Sequence, residues 1–519
     1  MIAPWRRQRV QRVLRRGHGA LLRRAAARTA DRGFAALVEG ASGHQAAALQ
    51  QRMHELLRVV GHEAAAGAEP PAQLVPRVEQ ALTGAGRDVT WLALAVLTGR
   101  LPHGFEVVAA HRRLVLDGPG AALAPALAAV LSPLSPDRWR PVRVAVREGV
   151  VLADVHSTAG HDIQTGIQRV VRRTVPLWVR DHSLQLVAWT PSDDALRDLV
   201  PHEQERVLRW SGPLGDTPPG RAATVVVPWR STLLLPEVPG LAQCGRLAGL
   251  AEHSGNRVSL LGYDCIPVLG AEFVPDLLPT LFARYLGVVK HADRVATISA
   301  SAADEFGGIG RALAAQGLPG PHVQAVPLAT EVPAAEVGES PAGDPVVLVV
   351  GSHEPRKNHL AVLHAAELLW REGLRFRLRL LGGRGFDTEP FEQRLADLEA
   401  AGRPVEVLRG PSDVQVWEAF RTARFSVFPS LYEGYGLPVV ESLAFGTPVV
   451  ATCYGSTGEL EALGGTVPVD PRDDDALTDA VRRLLTDDDA VAALRAQALA
   501  RPVRTWEEYA REAWAVLVP

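Results

Sequence analysis

Cysteine is scarce in this chain: 519 residues hold three, Cys244, Cys265 and Cys453, with no histidine or cysteine partner at metal-ligand spacing. That speaks against a disulfide framework and a zinc site, and a reducing compartment is expected. Long apolar runs are missing too. No stretch reaches about 18 uncharged apolar residues, so no membrane-spanning helix is expected. The N-terminus has arginines but lacks an apolar core followed by a small-residue cleavage site, so it does not read as a secretory signal. One-sided charge is also absent: the formal net charge of -3 gives no case for a nucleic-acid partner. The expected location is the cytoplasm, with the inner face of the plasma membrane open as a peripheral site.

What is present is ample apolar material, 47% of residues against 22% charged, in a chain too long for one core. Residues 1–135 are rich in Ala, Arg and Leu at helical spacing, as in the run Trp91 to Leu97 before Gly99, and read as a helical module. Strand–helix alternation follows over 140–330, with a strand at Val150–Val155 and a helix from about Gly166 to Val179. That helix would place Ile167, Val170, Val171, Val175 and Trp178 on one face, with its arginines elsewhere. Residues 331–345, punctuated by Pro333, Pro341 and Pro345, read as a linker. A second alternating series occupies 346–519. The fold class expected is α/β, with two doubly wound parallel sheets facing a cleft and ligands beyond the strand carboxyl ends.

Two strand-end segments carry the chemistry. Gly351-Ser352-His353-Glu354-Pro355-Arg356-Lys357-Asn358 follows the apolar run Val346–Val350. Its adjacent cations can neutralise a diphosphate, Arg by bidentate hydrogen bonds and Lys as a compact charge; a solvated turn with helix-capping bases is the other reading. The second segment runs from Ser430 through Glu433, Gly434, Tyr435, Gly436, Leu437 and Pro438 to Glu441. Its glycines allow close backbone approach, Pro438 suits a first helical turn, and a helix N-terminus binds phosphate through free N–H groups. Glu433 and Glu441 could serve the donor sugar and ribose hydroxyls; complementing the helix dipole accounts for Glu441 alone.

These two segments resemble family 4 of the retaining glycosyltransferases, which have the two-Rossmann GT-B fold. The resemblance runs from about Val150 to the C-terminus. It implies transfer of a hexosyl group from a nucleotide-diphosphate sugar to a glycan or lipid-linked acceptor, with retention of configuration and no metal. It places the family's Glu–seven residues–Glu signature on Glu433 and Glu441, and its loop lysine on Lys357 beside Arg356. Arg356 and Lys357, with backbone amides around Gly436 and Leu437, would hold the diphosphate, Gly351 and Ser352 would line the donor site, and the stretch Val407, Leu408 to Gly410 would pack the base. Ser352 stands where many relatives carry arginine, which leaves the phosphate charge to Arg356 and Lys357. No Asp-x-Asp motif stands at a strand end to argue for a metal.

On the acceptor side, Thr165-Gly166-Ile167 opens the first helix after a strand, as a ligand-approach point or simply a tight turn. The Thr-Gly-Ile-x-Arg run resembles the subgroup that builds bacterial surface polysaccharides, often with mannosyl donors. Tyr263-Asp264 closes another strand; Tyr263 replaces the histidine of many relatives, so no histidine-dependent role carries over. Thr297, Ser299 and Ser301 fit acceptor contact and helix capping equally. Residues 1–30 hold nine arginines and no acid, with Val10, Val13, Leu14 and Leu21 on a narrow face. Such a segment can lie on anionic lipid, dock on a neighbouring helix or form a tail. Rival functions are a sugar-nucleotide-binding scaffold without turnover and a sugar-nucleotide epimerase.

Overall fold

The computed structural model describes residues 33–41, 43–61, 69–131, 142–162, 164–210, 212–213, 215, 224–332 and 343–519. The basic segment 1–30 and most of the expected linker, 333–342, lie outside the described residues. By its internal contacts the chain divides into two compact units, residues 1–260 with 284–293 and residues 261–283 with 294–519.

The first unit opens with helices Gly33–Glu39, His44–Val59, Pro71–Leu82, Arg87–Thr98, Gly104–Asp117 and Pro119–Leu131. The helix over Trp91–Leu97 is buried on every side and stops at Gly99, whose φ of 69° is left-handed. Only glycine takes that conformation freely, so the stop read from the sequence has its backbone cause. Arg52, fully buried, donates to the Leu97 carbonyl at 3.1 Å and to the Val142 carbonyl at 3.2 Å.

Strands β1 (Arg143–Glu148), β2 (Val151–Asp154), β3 (Leu184–Trp189), β4 (Leu196–Asp198), β5 (Thr224–Trp229), β6 (Thr232–Leu235), β7 (Arg257–Gly262), β8 (Arg294–Thr297) and β9 (His322–Ala325) follow. They form one sheet in the order β1-β5-β4-β3-β2-β6-β7-β8-β9, and the division between the units runs through β7. The expected parallel sheet has one exception: β4 runs antiparallel to β3 and β5. Three residues are too few to show a direction in sequence.

Edge strand β1 is covered by a helix of the same unit. Gln51 exchanges two bonds with Val144, Nε2 to the carbonyl at 2.7 Å and N–H to Oε1 at 3.0 Å, while Val146 N–H donates to Glu55 at 2.7 Å. Side chains thus stand in for a missing strand and blunt an exposed edge. The helix Gly166–Asp181 buries Val170, Val171, Val175 and Trp178 as expected, but Arg172 is also buried. Its guanidinium donates to the His161 carbonyl at 3.1 Å and to Gln164, and lies 3.6 Å from the Trp210 ring centre. Partners distant in sequence make that burial affordable.

In the second unit, β10 (Val346–Val350), β11 (Arg377–Leu381), β12 (Val405–Leu408), β13 (Phe425–Phe428), β14 (Val449–Thr452) and β15 (Thr466–Val469) form a sheet in the order β12-β11-β10-β13-β14-β15. Every pair is parallel. One face packs Val347, Val349, Phe425 and Val427 against Leu363, Leu369 and Leu477; the other packs Leu348 and Leu381 against Phe420 and Phe445. The chain runs outward from β10 to β12 and then returns to β13 on β10's other side. That reversal leaves a crevice at the carboxyl ends of β10 and β13, where open α/β sheets take ligands.

Removing the edge cover tests its role. Gln51→Ala deletes both bonds to Val144 and should cost about 1–3 kcal/mol. Hydrogen exchange should accelerate at Val144 and Val146 ahead of the β10 amides. Equal protection in variant and wild type would mean that the edge needs no cover.

Candidate functional site

Both segments singled out in the sequence leave the strands at this reversal point. After β10, Pro355–Lys357 makes one tight turn and Asn358, with a left-handed φ of 55°, hands the chain to helix His359–Arg371. The Leu431 N–H donates to the Arg356 carbonyl at 2.8 Å, tying the two loops together. Arg356 Nη1 stands 2.9 Å from Glu433 Oε1, and Lys357 Nζ bonds the same oxygen. Arg356 also reaches the Tyr432 carbonyl at 2.5 Å and Glu354 at 3.4 Å, and Ser352 Oγ donates to Glu354 at 2.5 Å. The side chains of Arg356, Lys357 and Glu433 are 14%, 11% and 12% exposed, so little water screens them.

Burial and pairing compete at each charge. Burial pushes the Glu433 carboxyl up, but Lys357 and Arg356 outweigh it and hold it below the usual carboxylate range. Burial lowers Lys357, with Glu433 opposing. For Arg356 the carboxylates of Glu433, Glu354 and Asp264 overcome burial and raise it. Glu433 is thus the group whose charge the pairing favours most plainly, with both cations drawn to it against the cost of burial.

The second loop is shaped by glycine. Gly436 has φ 98° and precedes helix Leu437–Ala444; a Cβ there would meet Thr457 Cγ2 at 2.9 Å. A Cβ on Gly434 would lie 2.9 Å from the Tyr263 carbonyl and 3.0 Å from Asp264 Oδ2. Ser299 donates to the Gly434 carbonyl and Ser456 to the Glu433 carbonyl, each at 2.8 Å, and Tyr435 donates to the Leu328 carbonyl at 3.0 Å. Glu441 lies buried in the second turn of that helix, which Pro438 helps to start.

Tyr263 and Asp264 belong to the same unit, immediately after β7. Tyr263 is buried, and Asp264 Oδ1 accepts the Ile266 N–H at 3.1 Å. Burial, and then the nearby Glu433 charge, pushes the Asp264 carboxyl up against the pull of Arg356. Of the three hydroxyl residues weighed for acceptor contact, Ser299 is a helix cap, accepting the Ala302 N–H at 3.0 Å. Thr297 donates to the Ser299 carbonyl at 3.0 Å, and the Ser301 N–H goes to Glu459 at 2.5 Å. Thr165, Gly166 and Ile167 lie in the first unit, where exposed Thr165 precedes helix Gly166–Asp181. Val407 and Leu408 end β12, and Gly410 has φ 62°. Beside them lies a cavity of about 510 Å³ lined by Arg379, Glu406, Leu408, Val414 and Glu418 among others.

Sequence reasoning missed three features. The loop after β11 crosses the Gly351 loop so closely that a Cβ on Gly382 would sit 1.8 Å from the Gly351 carbonyl oxygen. The Gly-Gly-x-Gly run Gly382–Gly385 after an apolar strand was its signal. His353 and His359, 2% and 4% exposed, stack edge-on with centroids 5.1 Å apart beneath the cation loop. Their ring nitrogens have no hydrogen-bond partner among the described residues, and burial holds His359 at about 3, a neutral ring. Glu305, on helix Ala300–Ala314, accepts the Cys265 N–H at 2.6 Å.

Two apolar-cored, mostly parallel sheets behind a helical region, with charged and glycine-rich loops at the strand ends, define the GT-B fold class. Residues 334–501 match the family Glycosyl transferases group 1. The chain is 26% identical over 326 residues to the serotype-specific mannosyltransferase WbdA of Escherichia coli, covering 58% of this chain and 38% of that protein. It is 34% identical over 162 residues to the O-antigen chain mannosyltransferase B of Escherichia coli, covering 31% and 42%. The chain thus spans about two fifths of the length of these curated relatives, 38% and 42%. In fold it resembles the N-terminal domain of Candida albicans trehalose-6-phosphate phosphatase, with TM-score 0.51 and 10% identity, covering 71% of this chain and 96% of that one.

Two measurements check the site. Gly436→Ala forces alanine into a left-handed turn against Thr457 and should cost about 1–3 kcal/mol. It should also weaken nucleotide binding by displacing the helix start; unchanged binding would detach that helix from the site. Burial, and then Asp264, pushes Glu305 up to about 7 against the pull of the Cys265 N–H. An unfolded glutamate titrates near ~4.3, so the folded form holds its proton more tightly. The stabilisation is complete below the unfolded value and lost as pH rises through about 7. The melting temperature of Glu305→Gln should therefore gain on wild type from pH 5 to pH 8. A constant difference would refute the shift.

Proposed function

We propose that the chain is a retaining, metal-independent hexosyltransferase acting from a nucleotide-diphosphate sugar onto a glycan or lipid-linked acceptor in polysaccharide synthesis. The observation that carries this reading is the convergence of Arg356 and Lys357 on one Glu433 oxygen, beside the glycine-started helix Leu437–Ala444. A diphosphate entering here would take over part of both cations and the N–H groups of the helix start. Its departure would be stabilised by the same groups, fixed in place before reaction. Glu433, released from full pairing, would present an oxygen to the positive character that develops at the anomeric carbon.

Both relatives are mannosyltransferases, which makes mannosyl donors the first to test. Hydrolysis should be screened over GDP-, UDP- and dTDP-sugars, and product configuration read by NMR. Inverted product would overturn the retaining assignment. Lys357→Met keeps the buried apolar stem while removing a charge-assisted contact of about 1.5–3 kcal/mol, so turnover should fall at least about tenfold. Wild-type kinetics would remove Lys357 from the site.

No metal is assigned a role, so activity should survive EDTA. Loss restored by Mg²⁺ or Mn²⁺ would show that the leaving group is stabilised otherwise. For location we propose the cytoplasm, with residues 1–30 touching the anionic inner face of the plasma membrane through their nine arginines. Deleting 1–30 should abolish sedimentation with anionic liposomes and leave soluble-donor hydrolysis at the wild-type rate.

A further inference from the structure

The first sheet has its own reversal point, between β2 and β6, since the chain proceeds from β2 to β3 and later returns to β2's other side. Asp154 ends β2 and Trp189 ends β3. Asp154, 5% exposed, accepts the Trp189 indole N–H at 2.6 Å and the His156 N–H at 3.1 Å. The Trp189 backbone N–H donates to His156 Nδ1 at 3.3 Å, so the ring N–H is carried on Nε2. Asp193, held at a left-handed φ of 54°, accepts from Gln243 at 2.9 Å. Its Oδ1 faces His156 Nε2 across 4.0 Å, and the two side chains are 28% and 38% exposed.

That gap is too long for a hydrogen bond between them and suits an oxygen about 2.8 Å from each. One side offers an N–H and the other a carboxylate. A hydroxyl, which both accepts and donates, satisfies the pair; an anion would meet Asp193 unfavourably and an ammonium would leave the Nε2 proton unused. Both groups are locked from behind by buried partners, so little rotamer freedom is lost on binding.

We propose that His156 and Asp193 form a hydroxyl-binding subsite of the first unit that takes a sugar hydroxyl of the acceptor. The inference rests on the transferase reading for its ligand class but on no residue of the second unit. Nothing in the mannosyl or nucleotide assignment requires it.

The test uses full-length protein and methyl α-mannopyranoside, methyl β-galactopyranoside and the 2-, 3- and 4-deoxy mannosides, read by saturation-transfer NMR. At least one hexoside should saturate the wild type, and removal of one particular hydroxyl should abolish its signal. His156→Gln and Asp193→Asn, the latter keeping a residue tolerant of positive φ, should each weaken binding about tenfold, the loss of one hydrogen bond in a closed pair. Absence of hexoside binding to the wild type overturns the proposal, as does undiminished binding in both variants. A parallel arm measures the thermal shift with GDP and UDP. Both variants should retain that shift, and its loss in Lys357→Met reads the donor site separately.

Discussion

One carboxylate oxygen joins the two loops of the second unit. Glu433 Oε1, on the loop that follows β13, receives Arg356 at 2.9 Å and also bonds Lys357, both from the loop that follows β10. A buried charge is costly alone, and removing one partner of such a pair is more damaging than the pair is stabilising. The three side chains therefore require one another, and the backbone must bring them within reach. The Leu431 to Arg356 bond, the Tyr432 carbonyl and the Ser456 cap on the Glu433 carbonyl all follow from that demand.

Glycine makes the approach feasible. The Gly351 carbonyl lies where a side chain on Gly382 would have to be, and the Tyr263 carbonyl crowds Gly434. Each contact brings backbone against backbone, which leaves no flexible side chain to yield. Beneath the loop, His353, His359 and Phe391 pack as neutral rings, with His353 and Phe391 centroids 4.4 Å apart. Two imidazoles without hydrogen-bond partners among the described residues are an expensive choice for a floor. Burial, and after it His353 and Lys357, lowers His359 and keeps further positive charge out.

The first unit solves a different problem with similar means. Its long sheet needs an edge cover, and Gln51 and Glu55 of one helix supply hydrogen bonds that another strand would otherwise make. Arg52, on the same helix, turns inward to the Leu97 and Val142 carbonyls. The helical region is thus part of how this sheet ends.

The apolar run Val346–Val350, bounded by polar residues, was enough to locate a strand that the structure reproduces residue for residue. Val346, Val347, Leu348 and Val349 are buried on alternate faces of the sheet, so the signal of this strand is local and needs no partner to be read. The placement of Arg356, Lys357, Glu433 and Gly436 at strand ends was likewise legible, because charge and glycine after an apolar run are sequence properties. The antiparallel turn of β4, the burial of Arg172, the crossing of Gly382 over Gly351 and the meeting of Lys357 with Glu433 were not. That last pair is separated by 76 positions, and no local pattern encodes which distant group a side chain will meet. Sequence alone therefore determined the strands and the kinds of residue at their ends, while tertiary structure decided the pairings, because burial and charge compensation depend on distances that only the packed chain sets.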